Sequence, residues 1–270
     1  MDEKIQKVLA RAGYGSRREI EAWIEAGRIK VNQQLAKLGD RIGPDDRVSL
    51  DGKPLTRLHQ APRRRVIAYH KPIGEVCTRQ DPQGRPTIFE HLPRIQNSRW
   101  IAVGRLDINT CGLILLTTDG ELANRLMHPS SEIEREYAVR VLGKTTPEIF
   151  AQLQQGVMLD DGMAHFDRIL DSGGEGSNHW FHVTLKEGRN REVRRLWEAV
   201  GLKVNRLIRI RYANIELGRK LRPGKWRDLE TGEMQLLLQH VGLAQQTKDD
   251  KIDRPGRKGQ KGRRQRISKR

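Results

Sequence analysis

The chain has 270 residues, a formal net charge of +17 and a sequence pI near 10.3. This length accommodates one or two domains with a sizeable core, and the charge indicates a polyanionic partner, most simply a nucleic acid. No run of about 18 apolar residues is present to cross a bilayer, and no apolar signal segment follows Met1, so we expect a cytoplasmic protein that does not act on membranes.

The first 58 residues predict a small unit of two helices and a short sheet. Ile5, Val8 and Leu9 recur at helical spacing, and residues 16–19 form a capping box that begins a second helix. Residues 28–32 alternate like a strand. Four arginines cluster around the two turns: Arg11, Arg17, Arg18 and Arg28. They could bind RNA phosphates, with a solvated face of a small fold as the alternative explanation.

A basic segment that contains a proline, residues 59–65, predicts a linker. Residues 66–245 then alternate predicted strands with amphipathic helices, one of them capped by Asp119, which indicates a mixed α/β (α+β) domain. From about Lys248 the composition changes to eleven Lys or Arg and three Asp, with almost no apolar residue. We therefore expect residues 246–270 to form a disordered basic tail that adds non-specific RNA affinity.

The segment 103–110 lies between two apolar runs and predicts a bend between buried strands. Arg105 and Asp107 are two residues apart within it, so an extended backbone places both side chains on one face. Local spacing alone explains the pair equally well as a surface ion pair. Tyr137 lies in an alternating strand, where a core position is the simpler explanation.

A second informative stretch, residues 187–201, predicts an amphipathic helix with Val193 and Trp197 on its buried face. Arg191 and Arg195 point away from that face, which indicates a solvated surface with possible access to RNA. Arg194 lies at the edge of the buried face, from where its side chain can reach into a cleft.

Metal and nucleotide sites are not indicated. The two cysteines, Cys77 and Cys111, lack the CxxC spacing and are too few for a four-ligand zinc site, so we expect reduced, at least half-buried thiols. His179 and His182 point to opposite faces of a predicted strand. The glycine-rich residues 173–176 lack the Lys-Ser/Thr of a phosphate-binding loop. We expect neither a metal nor an organic cofactor.

The segment Gly104-Arg105-Leu106-Asp107, with Thr110, Gly112 and residues 117–120 after it, resembles the active-site segment of RNA pseudouridine synthases, in the ribosomal branch that carries an S4 domain. Three further stretches resemble motifs of the same family: Lys71-Pro72-x-Gly74, Arg135-Glu136-Tyr137 and Gly188-Arg189-x-x-x-Val193-Arg194. The N-terminal unit resembles the S4 RNA-binding domain through Leu9, Gly13, Ser16-Arg17-Arg18 and the segment 27–32.

The resemblance implies an enzyme that breaks the bond from ribose to N1 of a uridine, rotates the base and rejoins it at C5. Asp107 would be the catalytic carboxylate, either as nucleophile or as the base that removes a ribose proton. Arg194 would pair with Asp107. Tyr137 would pack on the uracil, with its hydroxyl placed to shuttle a proton, and Arg105 would fill the gap left by the flipped base or hold its phosphate.

The resemblance also implies a domain order: 1–58, S4 domain; 59–65, linker; 66–245, catalytic domain on a mixed, mostly antiparallel sheet; 246–270, tail. Asp107 should lie in a central cleft, and the S4 domain should be hinged at the linker. Four more side chains are expected to contact RNA: Lys71, Arg189, Arg191 and Arg195.

Within the family, the chain resembles most fully the branch that acts on large-subunit rRNA. This resemblance is carried by residues 109–112, 121–129 and 187–200. It implies that a monomer modifies one uridine of 23S rRNA near the peptidyl transferase region, in free rRNA or in a pre-ribosomal particle. Another rRNA or tRNA uridine is the first alternative. A non-catalytic S4-type assembly factor would explain the charge but not Asp107, Tyr137 and Arg194 together. An S4-containing methyltransferase would need a glycine-rich cofactor loop, which we do not find.

Overall fold

The computed structural model describes residues 2–60, 64–96, 98–175 and 178–243, so the predicted basic tail lies outside the described residues. The N-terminal unit contains these elements in chain order: β1 (Glu3–Lys4), α1 (Ile5–Arg11), α2 (Arg17–Glu25), β2 (Ile29–Val31), β3 (Gln34–Leu35), β4 (Arg41–Ile42), β5 (Val48–Leu50) and β6 (Lys53–Pro54). Strand β1 pairs with β4, and the order β3-β2-β5-β6 forms a second antiparallel sheet.

Helix α2 begins at the predicted capping box. The Ser16 hydroxyl accepts a hydrogen bond from the Glu19 amide at 3.1 Å, and the Glu19 carboxylate accepts one from the Ser16 amide at 2.6 Å. Two of the otherwise unpaired amides at the helix start are thereby satisfied. The apolar faces of α1 and α2 pack with the sheets into a separate core, which includes the fully buried Leu9 and Ile20.

The larger body contains the remaining elements: β7 (Val66–Lys71), β8 (Ile101–Val103), β9 (Cys111–Thr117), α3 (Gly120–Met127), a 3-10 turn (Pro129–Ser131), β10 (Arg135–Leu142), α4 (Pro147–Gln155), β11 (Val157–Leu159), β12 (Gly162–Ala164), β13 (Arg168–Glu175), β14 (Asn178–Leu185), α5 (Glu192–Ala199), β15 (Lys203–Tyr212), β16 (Ile215–Glu216), β17 (Trp226–Asp228) and α6 (Thr231–His240). Asp119 caps α3 as predicted, because its carboxylate accepts the amides of Glu121 and Leu122 at 2.8 and 3.2 Å.

A long sheet organises this body. Its strand order is β13-β14-β10-β15-β9-β7-β17, with β16 paired to β15 and β8 paired to β9. The pairings are antiparallel except for β15 with β9, so the predicted mixed, mostly antiparallel sheet is confirmed. Helices α4 and α5 contribute to the core on one face, and α3 and α6 to the core on the other. Strand β9 is buried on both faces, which explains its uninterrupted apolar sequence.

The parallel contact between β9 and β15 requires a glycine. Gly112 lies opposite Arg209 with φ +110°, and a Cβ atom at Gly112 would collide with the Arg209 backbone. Only a residue without a side chain permits this approach. The contact fixes the start of β9, immediately after the segment that carries Asp107.

Two local predictions need correction. Helix α5 begins at Glu192 rather than earlier in the 187–201 window, because Arg191 adopts a left-handed conformation with φ 50°. Arg64 and Arg65, predicted as linker, are fixed to the body. Arg64 pairs with Asp119 at 2.7 Å, and Arg65 pairs with Asp228 at 2.6 Å.

No helix within the described residues is long and apolar enough to cross a membrane.

Candidate active site

Asp107 lies in the turn that joins β8 to β9, on the wall of a cleft of about 1330 Å³. Gly104 begins this turn with φ +77°, and the Asp107 carbonyl accepts the Thr110 amide at 3.0 Å. The carboxylate itself is half-buried and has no hydrogen bond or ion pair to any described residue. A carboxylate held in this way can act as a base or as a nucleophile on a ligand in the cleft.

Lys71 holds this turn by hydrogen bonds to backbone carbonyls. Its burial contradicts the predicted contact of Lys71 with RNA. Its side chain is fully buried at the end of β7, and its ammonium group donates to the carbonyls of Pro72, Asp107 and Thr110 at 3.0, 3.1 and 2.9 Å. Burial lowers the pKa of Lys71, and the charge of Asp107 is one of those that oppose this shift. A group without solvent exposure cannot reach a phosphate.

Residues 74–77 also hold the turn; the sequence had identified Gly74 as part of a family motif but had not indicated these contacts. The Gly74 amide donates to the Ile108 carbonyl at 2.9 Å, and the Cys77 thiol is 3.4 Å from both the amide and the carbonyl of Leu106. As predicted, Cys77 is half-buried, and Cys111 is buried. These contacts involve backbone groups, which leave no periodic pattern in a sequence.

Tyr137 lines the same cleft from β10. Only 8% of its surface is exposed, as expected for a core position. Its hydroxyl, however, has no hydrogen-bond partner among the described residues. In the lining of the same cleft, the guanidinium groups of Arg135 and Arg209 each lie 5.3 Å from the ring centroid of Tyr212. The site therefore combines a carboxylate with an aromatic ring and hydroxyl that can contact a planar base.

Arg194 does not form the predicted pair with Asp107. Its guanidinium donates to the carbonyls of Val204 and Asn109, each at 3.0 Å. Burial lowers the pKa of Arg194, as does the charge of Arg191, whereas the charge of Asp107 raises it. Arg194 thus holds the turn two residues beyond Asp107 and acts on the carboxylate through space.

The chain was compared with known proteins. The RNA pseudouridylate synthase family model matches residues 65–199, and the S4 domain model matches residues 3–48. The chain is 58% identical over 250 residues to ribosomal large subunit pseudouridine synthase B of Escherichia coli strain K12, covering 92% of this chain and 86% of that protein. The chain belongs to the RNA pseudouridylate synthase family.

Two further comparisons agree with this. The Haemophilus influenzae protein of the same name is 56% identical over 254 residues, covering 93% of this synthase and 71% of that protein. A crystal structure of a pseudouridylate synthase superposes with a TM-score of 0.61 at 25% identity, covering 87% of this chain and 99% of that one. The resemblance drawn from the motifs is confirmed, and the chain is an enzyme rather than a non-catalytic assembly factor or a methyltransferase.

The predicted RNA-contacting arginines of the catalytic body fall into two groups. Arg105 and Arg191 are exposed and line the cleft, and Arg105 forms no ion pair with Asp107. The ion pair of Arg191 with Glu198 is long, at 4.0 Å, and exposed, so both arginines are available to a ligand. Arg189 also lines the cleft, but it pairs with Glu187 at 2.5 Å and donates to three carbonyls of the β11–β12 hairpin. Arg195 pairs with Asp161 at 2.9 Å outside the cleft. For Arg189 and Arg195 the geometry favours a structural role.

The arginines of the S4 domain divide similarly. Arg11 pairs with Glu3 at 2.5 Å, and Arg28 pairs with Asp51 at 2.6 Å. Arg17 and Arg18 are exposed and have no ion pair within the described residues. Of the four arginines predicted to contact RNA in this domain, Arg17 and Arg18 are therefore the two that a phosphate can approach without competing with a carboxylate of a described residue.

The two histidines of β14 each lie near one carboxylate. His179 lies 2.6 Å from Asp171, and His182 lies 3.4 Å from Glu136. Among the residues that the structure describes, no group of three or more His, Cys, Asp or Glu side chains could hold a metal ion.

Proposed function

We propose that this synthase isomerises a specific uridine of 23S rRNA to pseudouridine, with Asp107 as the catalytic carboxylate. The observation that carries the proposal is the placement, on one cleft, of a carboxylate and a tyrosine hydroxyl that bond no other described residue. Large-subunit rRNA as the substrate is supported by the names of the relatives that match almost the whole chain. The excess of Arg and Lys over Asp and Glu in the cleft lining suits a polyanion.

The target uridine must leave its stack, because side chains on the wall of the cleft cannot reach both C1′ of the ribose and C5 of the base while the nucleotide is stacked in a helix. Asp107 then acts at the ribose, as nucleophile or as base, while the bond from C1′ to N1 breaks. The base rotates and C5 bonds to C1′. In the nucleophilic route the Asp107–C1′ ester breaks as this bond forms, and in the base route Asp107 returns the ribose proton. C5 then loses its proton and N1 gains one, so the isomerisation has no net change in protons. Tyr137 packs on the uracil, and its free hydroxyl is suited to carry the C5 proton.

Two arginines assist in this proposal. Arg194 is a positioning residue, since it holds the Asn109 carbonyl and adds positive charge near Asp107. Arg105, exposed two residues before Asp107, takes the space left by the flipped base or holds its phosphate. The S4 domain of residues 1–58 and the catalytic domain of residues 66–245 would act together in a cytoplasmic monomer, on free rRNA or on a pre-ribosomal particle.

The test uses rRNA transcripts labelled with tritium at uridine C5, because formation of pseudouridine releases that tritium to water. Wild type is compared with Asp107→Asn and with Asp160→Asn, which alters an exposed aspartate outside the cleft. We expect release by wild type and Asp160→Asn, none by Asp107→Asn, and similar RNA binding by all three. Transcripts of 23S rRNA, 16S rRNA and tRNA, and pre-ribosomal particles, identify the substrate. Binding without release on every one of these substrates would contradict the proposal.

A further inference from the structure

Two arginines outside the family motifs, Arg79 and Arg99, line the same cleft as Asp107. Both lie in the long connection between β7 and β8. Ser16, the N-cap of α2 in the S4 domain, lines the cleft together with them. The S4 domain and the catalytic body therefore meet at this rim of the cleft.

Neither arginine forms an ion pair with any described residue. The Arg79 guanidinium lies 4.5 Å from the ring centroid of Phe89 and donates to the Trp100 carbonyl, contacts that orient it but leave its charge intact. Arg99 forms no hydrogen bond or ion pair with any described residue, and its Nε atom is buried without a partner. A guanidinium placed in this way has donors left for an anion.

The surrounding charges also leave an excess of positive charge. Hydrogen bonds from Ser16 lower the pKa of Glu19, and the charges of Arg99 and Arg79 lower it further. Burial lowers the pKa of Arg99, and the charges of Arg79 and Arg17 add to this shift. Arg79 and Arg99 thus share the field of one carboxylate, Glu19, while Arg17 adds positive charge to the surroundings of Arg99. The Glu19 carboxylate is already bonded to the α2 N-terminus.

We propose that Arg79 and Arg99 of the catalytic body, together with Arg17 of the S4 domain, bind one phosphate of the RNA substrate at this junction. Arginine suits the role because its planar donors match phosphate oxygens. The bound phosphate would relieve the repulsion among the three cations and fix the S4 domain against the body beside the Asp107 turn. The inference rests on the proposed function, since it requires RNA in the Asp107 cleft.

The test measures the dissociation constant of full-length protein for a labelled transcript of the 23S rRNA segment around the peptidyl transferase region, as a function of KCl concentration. All proteins carry Asp107→Asn, so that binding is measured without turnover. Arg99→Gln is the main variant, because the substitution breaks no hydrogen bond or ion pair to the part of the chain that the structure describes. Arg94→Gln is the control, since Arg94 is an exposed arginine of the same connection outside the cleft.

We expect Arg99→Gln to weaken binding about fivefold and to reduce the slope of log Kd against log[KCl]. The reduction should be smaller than the roughly 0.7–0.9 of one whole phosphate contact, because Arg79 and Arg17 remain beside the phosphate. Arg94→Gln should leave both unchanged, and Arg99→Lys should restore most of the affinity. Equal affinity and slope for Arg99→Gln and Arg94→Gln would overturn the proposal. In that case, tritium release by the wild-type protein, measured separately, would still support the proposed function.

Sharing of one phosphate by two domains is tested with a double variant. If Arg17 and Arg99 bind the same phosphate, the loss of affinity in Arg17→Gln/Arg99→Gln will be smaller than the product of the single losses. The same cycle with Arg18→Gln in place of Arg17→Gln should give losses that multiply. Losses that multiply for Arg17 and Arg99 would overturn the shared site.

Discussion

The ammonium group of Lys71 donates a hydrogen bond of 3.1 Å to the backbone carbonyl of Asp107. The same group donates to the Thr110 carbonyl at 2.9 Å, so one buried cation joins the end of β7 to both ends of the turn. Because these bonds use backbone oxygens, the Asp107 carboxylate remains free to face the cleft. The turn is therefore held without using the group that does the chemistry.

Replacing this cation should damage both stability and turnover. In Lys71→Met three carbonyls, of which that of Thr110 is buried, lose a donor, which should cost about 2–4 kcal/mol of unfolding free energy. The kcat should fall about tenfold or more, because a small displacement of Asp107 misaligns it with the ribose. Thermal unfolding and tritium release measure the two effects. Lys203→Met, at an exposed position of β15, is the control. A Lys71→Met protein with wild-type stability and kcat would contradict this assignment.

The Tyr137 hydroxyl should matter for chemistry and not for folding. Since the hydroxyl bonds no described residue, Tyr137→Phe should retain the unfolding free energy and RNA affinity of wild type, while kcat falls about 100-fold. Tyr212 supplies the matched control, because its hydroxyl donates to the Leu126 carbonyl at 2.7 Å. Tyr212→Phe should lose about 1 kcal/mol of stability with little change in kcat. Equal kcat values for Tyr137→Phe and wild type would exclude proton transfer by this hydroxyl.

Sequence reasoning succeeded where the signal was local. The alternation of β10 and the capping box at Ser16 depend on near neighbours in the chain, and both are present in the structure. Asp107 and Tyr137 were found through contiguous family motifs, and the structure places both on one cleft.

Contacts between residues far apart in the sequence were predicted wrongly or not predicted. The acceptors of Lys71 include Asp107 and Thr110, almost forty residues away in the chain, and no sequence period reports such a contact. Arg194 was assigned to the Asp107 carboxylate, whereas the fold brings the Asn109 and Val204 carbonyls to it. Arg79 and Arg99 lie in irregular backbone, where binary patterns give no indication of which face a side chain occupies.

Arg194 should affect kcat more than KM. Arg194→Met removes the donors to the Asn109 and Val204 carbonyls and the positive charge near Asp107, and we expect kcat to fall about tenfold or more with KM almost unchanged. Arg195→Met is a neighbouring control on the same helix, and its exposed pair with Asp161 should contribute about 0–1 kcal/mol of stability. Steady-state tritium release gives both constants. A rise in KM with unchanged kcat would instead indicate that Arg194 binds the substrate.

The buried Glu75 should make stability depend on pH. Its carboxylate accepts the Tyr69 hydroxyl at 2.8 and 3.0 Å, one residue after the Gly74 amide that bonds the Asp107 turn. Burial raises the pKa of Glu75 above its ordinary value of 4.5. A carboxyl group whose pKa rises on folding contributes stability that is complete below its unfolded pKa and is lost as the pH rises through its folded pKa.

Glu75→Gln keeps an oxygen acceptor for Tyr69 but cannot ionise. The unfolding free energy of this variant, relative to wild type, should therefore increase as the pH rises from the ordinary carboxyl pKa of 4.5 toward neutrality. Urea unfolding across this range measures the difference, with Glu25→Gln, at an exposed position of α2, as the control that should show no such trend. If the difference in unfolding free energy between Glu75→Gln and wild type stays constant with pH, then Glu75 ionises equally easily in the folded and unfolded chain, and its burial does not raise its pKa.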